Sequence, residues 1–187
     1  GLPNLERAYS IYKNYLDSLS GAFPQLLAVG QKNSYGVDSA GIYVIGMSDR
    51  QSIYEFQIKP QFTQHHSDDY RAGFSESLNF TTTTSWIRVP PHILIGREGS
   101  KINIGIDWSV IDTNDSGEYL GEVIVKNDSD GKVRAVIPVT LIKPDYSSTG
   151  AQISKRITVT AGGLTRLYLH KPSWANQIIF SIRSADT

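Results

Sequence analysis

The sequence predicts a mainly β protein, an antiparallel β-sandwich preceded by one N-terminal α-helix. Three observations predict it. Apolar residues alternate with polar ones in short runs after about residue 40. Turn-forming residues separate these runs, and helical spacing of apolar residues is confined to the first nineteen positions. At 187 residues with 40% hydrophobic and 19% charged side chains, the chain has an ordinary globular composition and enough length to bury a core.

The N-terminal segment, residues 1–20, carries one broad apolar helical face. Asn4 is suited to cap its first turn. Ile11 and Tyr15 widen the stripe beyond what a lone surface helix needs, so we expect this helix to pack against a larger body. The apolar face follows the spacing of three and four residues through Leu5, Ala8, Tyr9, Tyr12, Leu16 and Leu19.

Strand-like segments then recur at short intervals. Tyr54, Phe56 and Ile58 form one apolar set, and Ile102, Ile104 and Ile106 form another, each with the period of two that a half-buried strand shows. Residues 26–29 are a candidate for a short buried strand. The predicted strands are Gly41 to Gly46, Ser52 to Phe62, Ser75 to Thr84, Trp86 to Val89, His92 to Ile95, Lys101 to Asp107, Tyr119 to Lys126 and Lys132 to Ile142.

The clearest turn is Asn127 to Gly131, between two β-rich runs, and it predicts a hairpin with glycine at a positive-φ position. The sandwich is therefore expected to span residues 21–144. A linker follows from Pro144 to Gly150. Residues 145–187 combine this linker with strand-like runs that either complete the sandwich or start a second one, since three strands make a poor domain alone.

Composition excludes several classes of function. The 18 basic and 18 acidic residues balance, so no surface for nucleic acid or anionic membrane is indicated. The absence of cysteine excludes disulfides, zinc thiolate sites and a cysteine nucleophile. No run of residues has the length of a membrane span, and no signal peptide is visible. Because Met47 is the sole methionine, we expect the chain to be a piece of a longer protein.

The run Asp115-Ser116-Gly117-Glu118-Tyr119 has the order found at the tyrosine corner of immunoglobulin-like domains. There, a tyrosine entering a late strand hydrogen-bonds back to the preceding corner. Gly121 stands where those domains often have a cysteine, so the corner would exist without the disulfide. The alternative is a plain turn before an ordinary strand. The fold class is accordingly an immunoglobulin-like or jelly-roll sandwich.

A longer series of motifs resembles the sandwich domain that follows the catalytic domain in large subtilisin-like serine peptidases, those of the tripeptidyl peptidase II family most of all. In that family a tryptophan-x-x-x-proline strand precedes an isoleucine-rich strand and a glycine-x-tyrosine strand. The matching runs here are Ser85 to Pro90, Ile93 to Ile95, Ile102 to Asp107, Gly117 to Val123, Arg134 to Thr140 and Gly162 to Ala175.

The opening Gly1 to Ala8 is similar to the start of the last helix of a subtilisin-like catalytic domain. The resemblance implies that the catalytic residues lie upstream and that this segment is a non-catalytic domain of a hydrolase. Implied partners are its own catalytic domain, further copies of the chain, and the peptide or protein substrates of the parent, at an extracellular or cell-surface location or, alternatively, in the cytoplasm. The residues expected to be structural are Trp86, Pro90, Asp115, Gly117 and Tyr119.

No catalytic or metal-binding residue is predicted, and no cofactor. None of the four histidines stands beside a nucleophile motif. His65 to Asp69 contains metal-ligand types but is better explained as a solvated loop. Asp112 to Gly117 has the spacing of the start of a calcium loop, yet position twelve is Val123 rather than glutamate, so a turn is favoured and a structural calcium ion is the alternative.

Three glycosylation sequons begin at Asn79, Asn114 and Asn127, which is little more than chance would give. Ten tyrosines are enough to line a sugar-binding face, although strand cores use tyrosine equally well. An extracellular adhesion or carbohydrate-binding sandwich is therefore the alternative function.

Overall fold

The computed structural model describes residues 24–30, 40–46, 50–113 and 116–144, with positions 9, 12, 13, 157, 166–169, 179 and 181. Most of residues 1–20, where a helix is predicted, and most of residues 145–187 lie outside the described residues. Both short helices and all nine strands discussed below belong to the described ranges. Neither helix has the length or apolar character that crossing a lipid bilayer requires.

The chain is mainly β. The elements in chain order are β1 Gln25–Gly30, β2 Ile42–Ile45, β3 Ile53–Gln61, α1 Asp68–Gly73, β4 Ser75–Thr82, β5 Ile87–Arg88, β6 His92–Gly96, β7 Ser100–Ile106, α2 Trp108–Thr113, β8 Gly117–Asn127 and β9 Val133–Lys143. Each strand falls on a segment that alternation or apolar run length had marked, and the bounds differ from the expected ones by three residues at most.

The strands form two sheets. The four-stranded sheet has the order β1-β3-β7-β5, and the five-stranded sheet has the order β2-β9-β8-β4-β6. Between β4 and β7 the chain passes from the five-stranded sheet to the four-stranded one, back again, and across once more. From β4 to β7, strands that are neighbours in sequence therefore lie in different sheets.

Apolar side chains from both sheets fill one core. Phe56 and Ile58 of β3 and Ile104 of β7 face it from the four-stranded sheet, and Val123 and Ile137 face it from the other. Each of these side chains is at most 2% exposed. Burying a side chain of this size stabilises the fold by about 1.5–3 kcal/mol. The predicted inward sets on β3 and β7 are confirmed.

The hairpin between β8 and β9 is also confirmed. Gly131 has φ of 68°, and its N–H donates to the carbonyl of Asn127 at 3.0 Å. The side-chain oxygen of Asn127 accepts from the N–H groups of Ser129 at 2.7 Å and Asp130 at 3.0 Å. Asparagine closes the turn and glycine supplies its left-handed residue, so the register of the two longest strands is set locally.

One strand pair corrects the predicted antiparallel arrangement. β2 runs parallel to β9, with Ile42 beside Val139 and Ile45 beside Ile142. Parallel neighbouring strands need a long connection between them. Here the connection contains every element from β3 to β8, because β2 comes early in the chain and β9 is the last described strand. Local periodicity carries no information about such a distant partner.

Two short helices also depart from the prediction, which placed no helix between the strands. α1 begins after Ser67, whose hydroxyl accepts from the N–H of Tyr70 at 3.1 Å, and Asp68 and Asp69 occupy its first turn. These are ordinary helix-start signals. α2 places Ile111 in the core with 1% exposure. Each has only six residues, too few for a helical period to stand out from neighbouring strands.

The connection from β4 to β5 crosses over Gly121 of β8. The N–H of Thr83 donates to the carbonyl of Glu122 at 3.1 Å, and the N–H of Glu122 donates to the hydroxyl of Thr83 at 2.9 Å. A Cβ atom at Gly121 would lie 2.6 Å from Cδ1 of Ile87 and 3.1 Å from Cη2 of Trp86. The bare glycine backbone thus lets the crossing segment settle directly on β8.

Replacing Gly121 should therefore destabilise the fold. We expect Gly121→Ala to lower the free energy of unfolding by about 1–3 kcal/mol, because the new methyl group forces Ile87 and Trp86 to shift. Urea denaturation followed by tryptophan fluorescence measures the change. Gly117→Ala on the same strand is the matched control, since nothing lies within 4 Å of its Cβ position. Equal effects of the two variants would contradict the crossing as the cause.

Candidate functional site

The residues expected to be structural occupy different parts of the domain. Trp86 is buried beside Gly121, and Pro90 lies partly buried after β5. Gly117 begins β8, and Tyr119 packs against the core from the same strand. Asp115 lies outside the described residues, so the hydrogen bond that defines a tyrosine corner stays a prediction. These residues do not converge on one point.

A buried ion pair lies near the hairpin end of the five-stranded sheet. Nε of Arg134 donates to Oε1 of Glu76 at 2.7 Å, and Nη2 donates to Oε2 at 3.0 Å. The two side chains are 7% and 6% exposed. The amide of Asn127 donates to Oε1 of Glu76 at 2.8 Å, and Arg134 also reaches the carbonyl of Pro24 at 3.3 Å. Both carboxylate oxygens are thus paired inside the protein, as burial of a charge requires.

Sequence inspection missed this pair, although one half of it left a signal. Glu76 is in phase with Leu78 and Phe80 on β4, so a carboxylate occupies a position where strand alternation calls for an apolar residue. A charge on the buried face predicts a buried partner. Nothing in the sequence identifies Arg134, 58 residues away, as that partner.

An open cleft of about 330 Å³ lies beside the ion pair. Its walls combine aromatic rings, serine hydroxyls, carboxylates and an amide. Burial and the negative charge of Glu76 raise the pKa of the Tyr70 hydroxyl, and the positive charge of Arg134 opposes them. This composition suits the binding of a polar group. The lining residues are Asp69, Tyr70, Gly73, Phe74, Ser75, Glu76, Ser77, Asn127 and Ser129.

His65 to Asp69 are mostly exposed, as expected of a solvated loop, but His66 is buried, and Asp68 and Asp69 lie in the first turn of α1. His66 is 4% exposed and packs among the rings of Phe62 and Tyr70, with centroid distances of 5.6 Å and 5.1 Å. Its Nδ1 accepts from the N–H of Thr63 at 3.0 Å. Among the described residues, no three His, Cys, Asp or Glu side chains are grouped as a metal site would need.

A second polar cluster joins α2 to the strands around it. Asp112 accepts two hydrogen bonds from Arg50, at 2.8 Å and 3.0 Å, and the Arg50 guanidinium lies 4.5 Å from the ring centroid of Trp108. Nζ of Lys143 donates to the carbonyls of Ile111 at 3.1 Å and Asp112 at 2.9 Å. The carboxylate that would begin a calcium loop is therefore already paired. Asn114 and Asp115 lie outside the described residues.

The Arg50 hydrogen bonds lower the pKa of the Asp112 carboxyl, with burial opposing them and the charges of Arg50 and Lys143 assisting. Lys143 meets the carbonyl end of the short helix, where a positive charge is favourable. The cluster holds α2 against β9.

Ser77, His92 and Asp128 lie together but not as a catalytic triad. The Ser77 hydroxyl donates to Oδ2 of Asp128 at 3.1 Å, and Nδ1 of His92 lies 3.5 Å from the same oxygen. A triad needs the histidine between serine and aspartate. Here the carboxylate occupies the middle position, so the histidine is not placed to take the serine proton.

In two of the three sequons, the asparagine amide donates a hydrogen bond to another side chain of the same chain. Nδ2 of Asn79 donates to Oδ1 of Asp128 at 3.2 Å, and Nδ2 of Asn127 donates to buried Glu76. The hydrogen bonds from Asn79 and Ser77 lower the pKa of the Asp128 carboxyl. A glycan on either asparagine would replace one of the two hydrogens on its Nδ2 atom. The third sequon begins at Asn114, outside the described residues.

Comparison with known proteins shows a likeness of fold to a solved structure. No protein-family model matches the chain, and no curated protein sequence matches it. The crystal structure of tripeptidyl peptidase 2 (TPP II) is similar over 72% of this chain, with a TM-score of 0.56 and 15% identity. The chain spans 11% of that structure. The predicted resemblance to a TPP II-like region is thus supported at the level of fold.

Two further solved structures have TM-scores below 0.5. A GH5 xyloglucanase from Bacteroides ovatus is 18% identical with a TM-score of 0.35, covering 56% of this chain and 17% of its own. The periplasmic chaperone SfaE is 14% identical with a TM-score of 0.39, covering 62% of this chain and 58% of its own.

The buried ion pair gives a testable consequence. Glu76→Gln should lower the free energy of unfolding by about 3–5 kcal/mol, because it leaves the buried Arg134 charge without a counter-charge. The double variant E76M/R134M should regain most of that loss, since neither charge is then buried. Glu55→Gln is the control, because Glu55 pairs with Lys101 at 2.8 Å on the surface, where a pair contributes at most about 1 kcal/mol. Equilibrium denaturation measures the free energy of unfolding of each variant. A double variant as unstable as the single one would contradict the pairing.

A second prediction concerns pH. The folded-state pKa of Asp112 is lowered, so its stabilising contribution is complete above the unfolded value of about 3.9 and is lost as pH falls through the folded value. The stability difference between the natural chain and Asp112→Asn should stay constant from neutral pH to roughly pH 5 and shrink below about pH 4. Thermal unfolding across this range measures it. A difference that persists unchanged down to pH 2 would be the contrary result.

Proposed function

We propose that this chain is a non-catalytic structural and interaction domain of a subtilisin-like serine peptidase of the TPP II type. The observation that carries the proposal is the fold likeness to TPP II over 72% of the chain. It agrees with the ordered motifs from Ser85 to Thr140, which point to the same family on independent grounds. The parent protein is accordingly a hydrolase, and this segment works outside its catalytic centre.

The proposed topology is an immunoglobulin-like sandwich. In such domains the strands A, B, E and D form one sheet, and G, F, C and C′ form the other. The order β1-β3-β7-β5 supports the first assignment, and β9-β8-β4-β6 supports the second. One departure is that β5 precedes β6 in the chain, whereas strand D normally follows C′. Tyr119 enters β8, the equivalent of strand F, where a tyrosine corner belongs.

The arrangement of polar groups supports a role in packing rather than chemistry. Glu76, Asp112 and Asp128 are each hydrogen-bonded to neighbours within the chain. A general acid or base must instead face the reacting group. The domain would pack on its own catalytic domain, support assembly of further copies, or shape the access of peptide and protein substrates. We place the parent outside the cell or on its surface, and we assign this domain no cofactor.

A sugar-binding module is the second candidate, and the cleft is the observation in its favour. Tyr70 lies at the cleft and is 37% exposed, beside serine hydroxyls and the Asn127 amide. Aromatic rings with flanking hydrogen-bonding groups suit a polyhydroxylated ligand. Binding on a glycan array that Tyr70→Ala abolishes would favour this candidate over the first.

Two measurements test the lead proposal. The coding sequence upstream of Gly1 should contain a subtilisin-like serine motif within a few dozen residues, with the aspartate and histidine further upstream. The purified 187-residue chain should hydrolyse neither casein nor chromogenic tripeptides. An upstream sequence without such a motif would contradict the proposal. Hydrolysis by the isolated chain that resists serine-protease inhibitors would indicate an enzyme of another kind.

A further inference from the structure

The cleft beside the buried ion pair lies where one strand of the five-stranded sheet extends past its neighbour. β4 pairs with β8 from Leu78 to Thr82. β8 ends at Asn127, where the hairpin turn begins. The first three residues of β4, Ser75 to Ser77, therefore lie beyond the end of β8, and all three line the cleft.

The backbone of these three residues presents hydrogen-bonding groups on the side that β8 has left. In an antiparallel sheet both backbone groups of a residue point to one side, and the side changes from each residue to the next. The N–H of Phe80 donates on the β6 side, to the carbonyl of Pro91 at 3.0 Å. The carbonyl of Ser77 accepts on the β8 side, from the N–H of Asp128 at 2.9 Å. The N–H groups of Ser75 and Ser77 and the carbonyl of Ser75 consequently face the β8 side as well.

An edge of this kind suits an extended peptide. Donors and acceptors that alternate along a strand edge are the groups by which a sheet accepts an additional strand. A peptide in the cleft would continue the line of β8 beyond the hairpin turn. The cleft volume of about 330 Å³ is near the lower end of the roughly 300–1,000 Å³ usual for ligand sites, so a short segment matching the open edge would fit.

The charge of the cleft favours a basic side chain on that peptide. Both carboxylate oxygens of Glu76 accept from Arg134, so this acidic group is neutralised. Asp69 also lines the cleft, and no ion pair joins it to another of the described residues. Asp69 therefore leaves the cleft negatively charged. The Tyr70 ring at the same cleft is 37% exposed, and an aromatic face attracts an ammonium or guanidinium group.

We propose that the cleft binds an extended peptide carrying a lysine or arginine residue, which adds to the open edge of β4 as a short strand. The N–H groups of Ser75 and Ser77 would donate to peptide carbonyls, and the carbonyl of Ser75 would accept from a peptide N–H. The basic side chain would lie against Asp69 and Tyr70. Backbone pairing would supply affinity and the basic side chain preference. A peptide site of this kind does not require the domain to belong to a peptidase.

An NMR titration of the isotope-labelled 187-residue chain tests the proposal. The probe is the peptide acetyl-Val-Lys-Val-amide. It should shift the amide proton signals of Ser75 and Ser77 downfield, because each gains a hydrogen bond. An analogue methylated at every peptide nitrogen should bind about two- to tenfold more weakly, since it has no N–H to donate to the carbonyl of Ser75. An analogue with norleucine in place of lysine should bind about two- to fivefold more weakly.

Variants of the chain separate the charge of the cleft from its shape. Asp69→Asn should weaken the lysine peptide about two- to fivefold and leave the norleucine analogue unchanged. Asp68→Asn is the matched control, because the Asp68 side chain is fully exposed on the same helix and does not line the cleft. Gly73→Leu should abolish binding of both peptides, since Gly73 lines the cleft and nothing lies within 4 Å of its Cβ position. Gly117→Leu, whose Cβ position is equally open, is its control.

Three results would overturn the proposal. Amide signals of Ser75 and Ser77 that the peptide leaves in place would exclude strand addition, as would equal affinity for the methylated analogue. Equal affinity of the natural chain for the lysine and norleucine peptides would exclude the preference for a basic residue. Shifts at the same amides with cellotriose and none with the peptide would favour the sugar-binding candidate instead.

Discussion

The two sheets depend on one crossing of the chain, where the segment between β4 and β5 passes over Gly121. This segment leaves the five-stranded sheet and enters the four-stranded one, and it is hydrogen-bonded to the backbone of β8 through Thr83 and Glu122. Trp86 and Ile87 then fill the space above the glycine. Because a side chain at position 121 would occupy that space, the close approach of the sheets here rests on the absence of one atom.

The opposite end of the five-stranded sheet is held by charge. Glu76, Arg134 and Asn127 come from β4, β9 and the end of β8, and each satisfies the others. Such a pair contributes little net stability compared with apolar packing, yet a slip of one residue in either strand would leave a charge buried alone. The pair therefore acts mainly on register. The Asn127–Gly131 turn sets the same register locally, so two independent devices agree on the pairing of β8 with β9.

Much of the fold could be predicted from the sequence because its signals are local. Alternation identified the strands through Phe56, Ile58 and Ile104, and Asn127 with Gly131 identified the hairpin. The features that the sequence did not predict were either short elements or contacts between residues far apart in the chain. α1 had a visible cap at Ser67, but six residues show little periodicity. The parallel β2–β9 pair and the Glu76–Arg134 contact join residues far apart in sequence. Patterns in a single sequence do not indicate which residues make contact over such separations. The cleft beside Glu76 could not be predicted, because it exists only where α1, β4 and the hairpin meet.

The described carboxylates and the exposed apolar side chains differ in whether they already have partners within the chain. Among the described residues, Glu76, Asp112 and Asp128 each accept hydrogen bonds from arginine, asparagine or serine side chains. Apolar side chains on the outer sheet face are in the opposite condition, since water gives them no favourable partner. Covering a surface of this kind lowers the free energy of the protein and requires no chemical reaction. Tyr43, Ile45 and Leu120 are the exposed apolar side chains of this face, and contact with another surface would bury them.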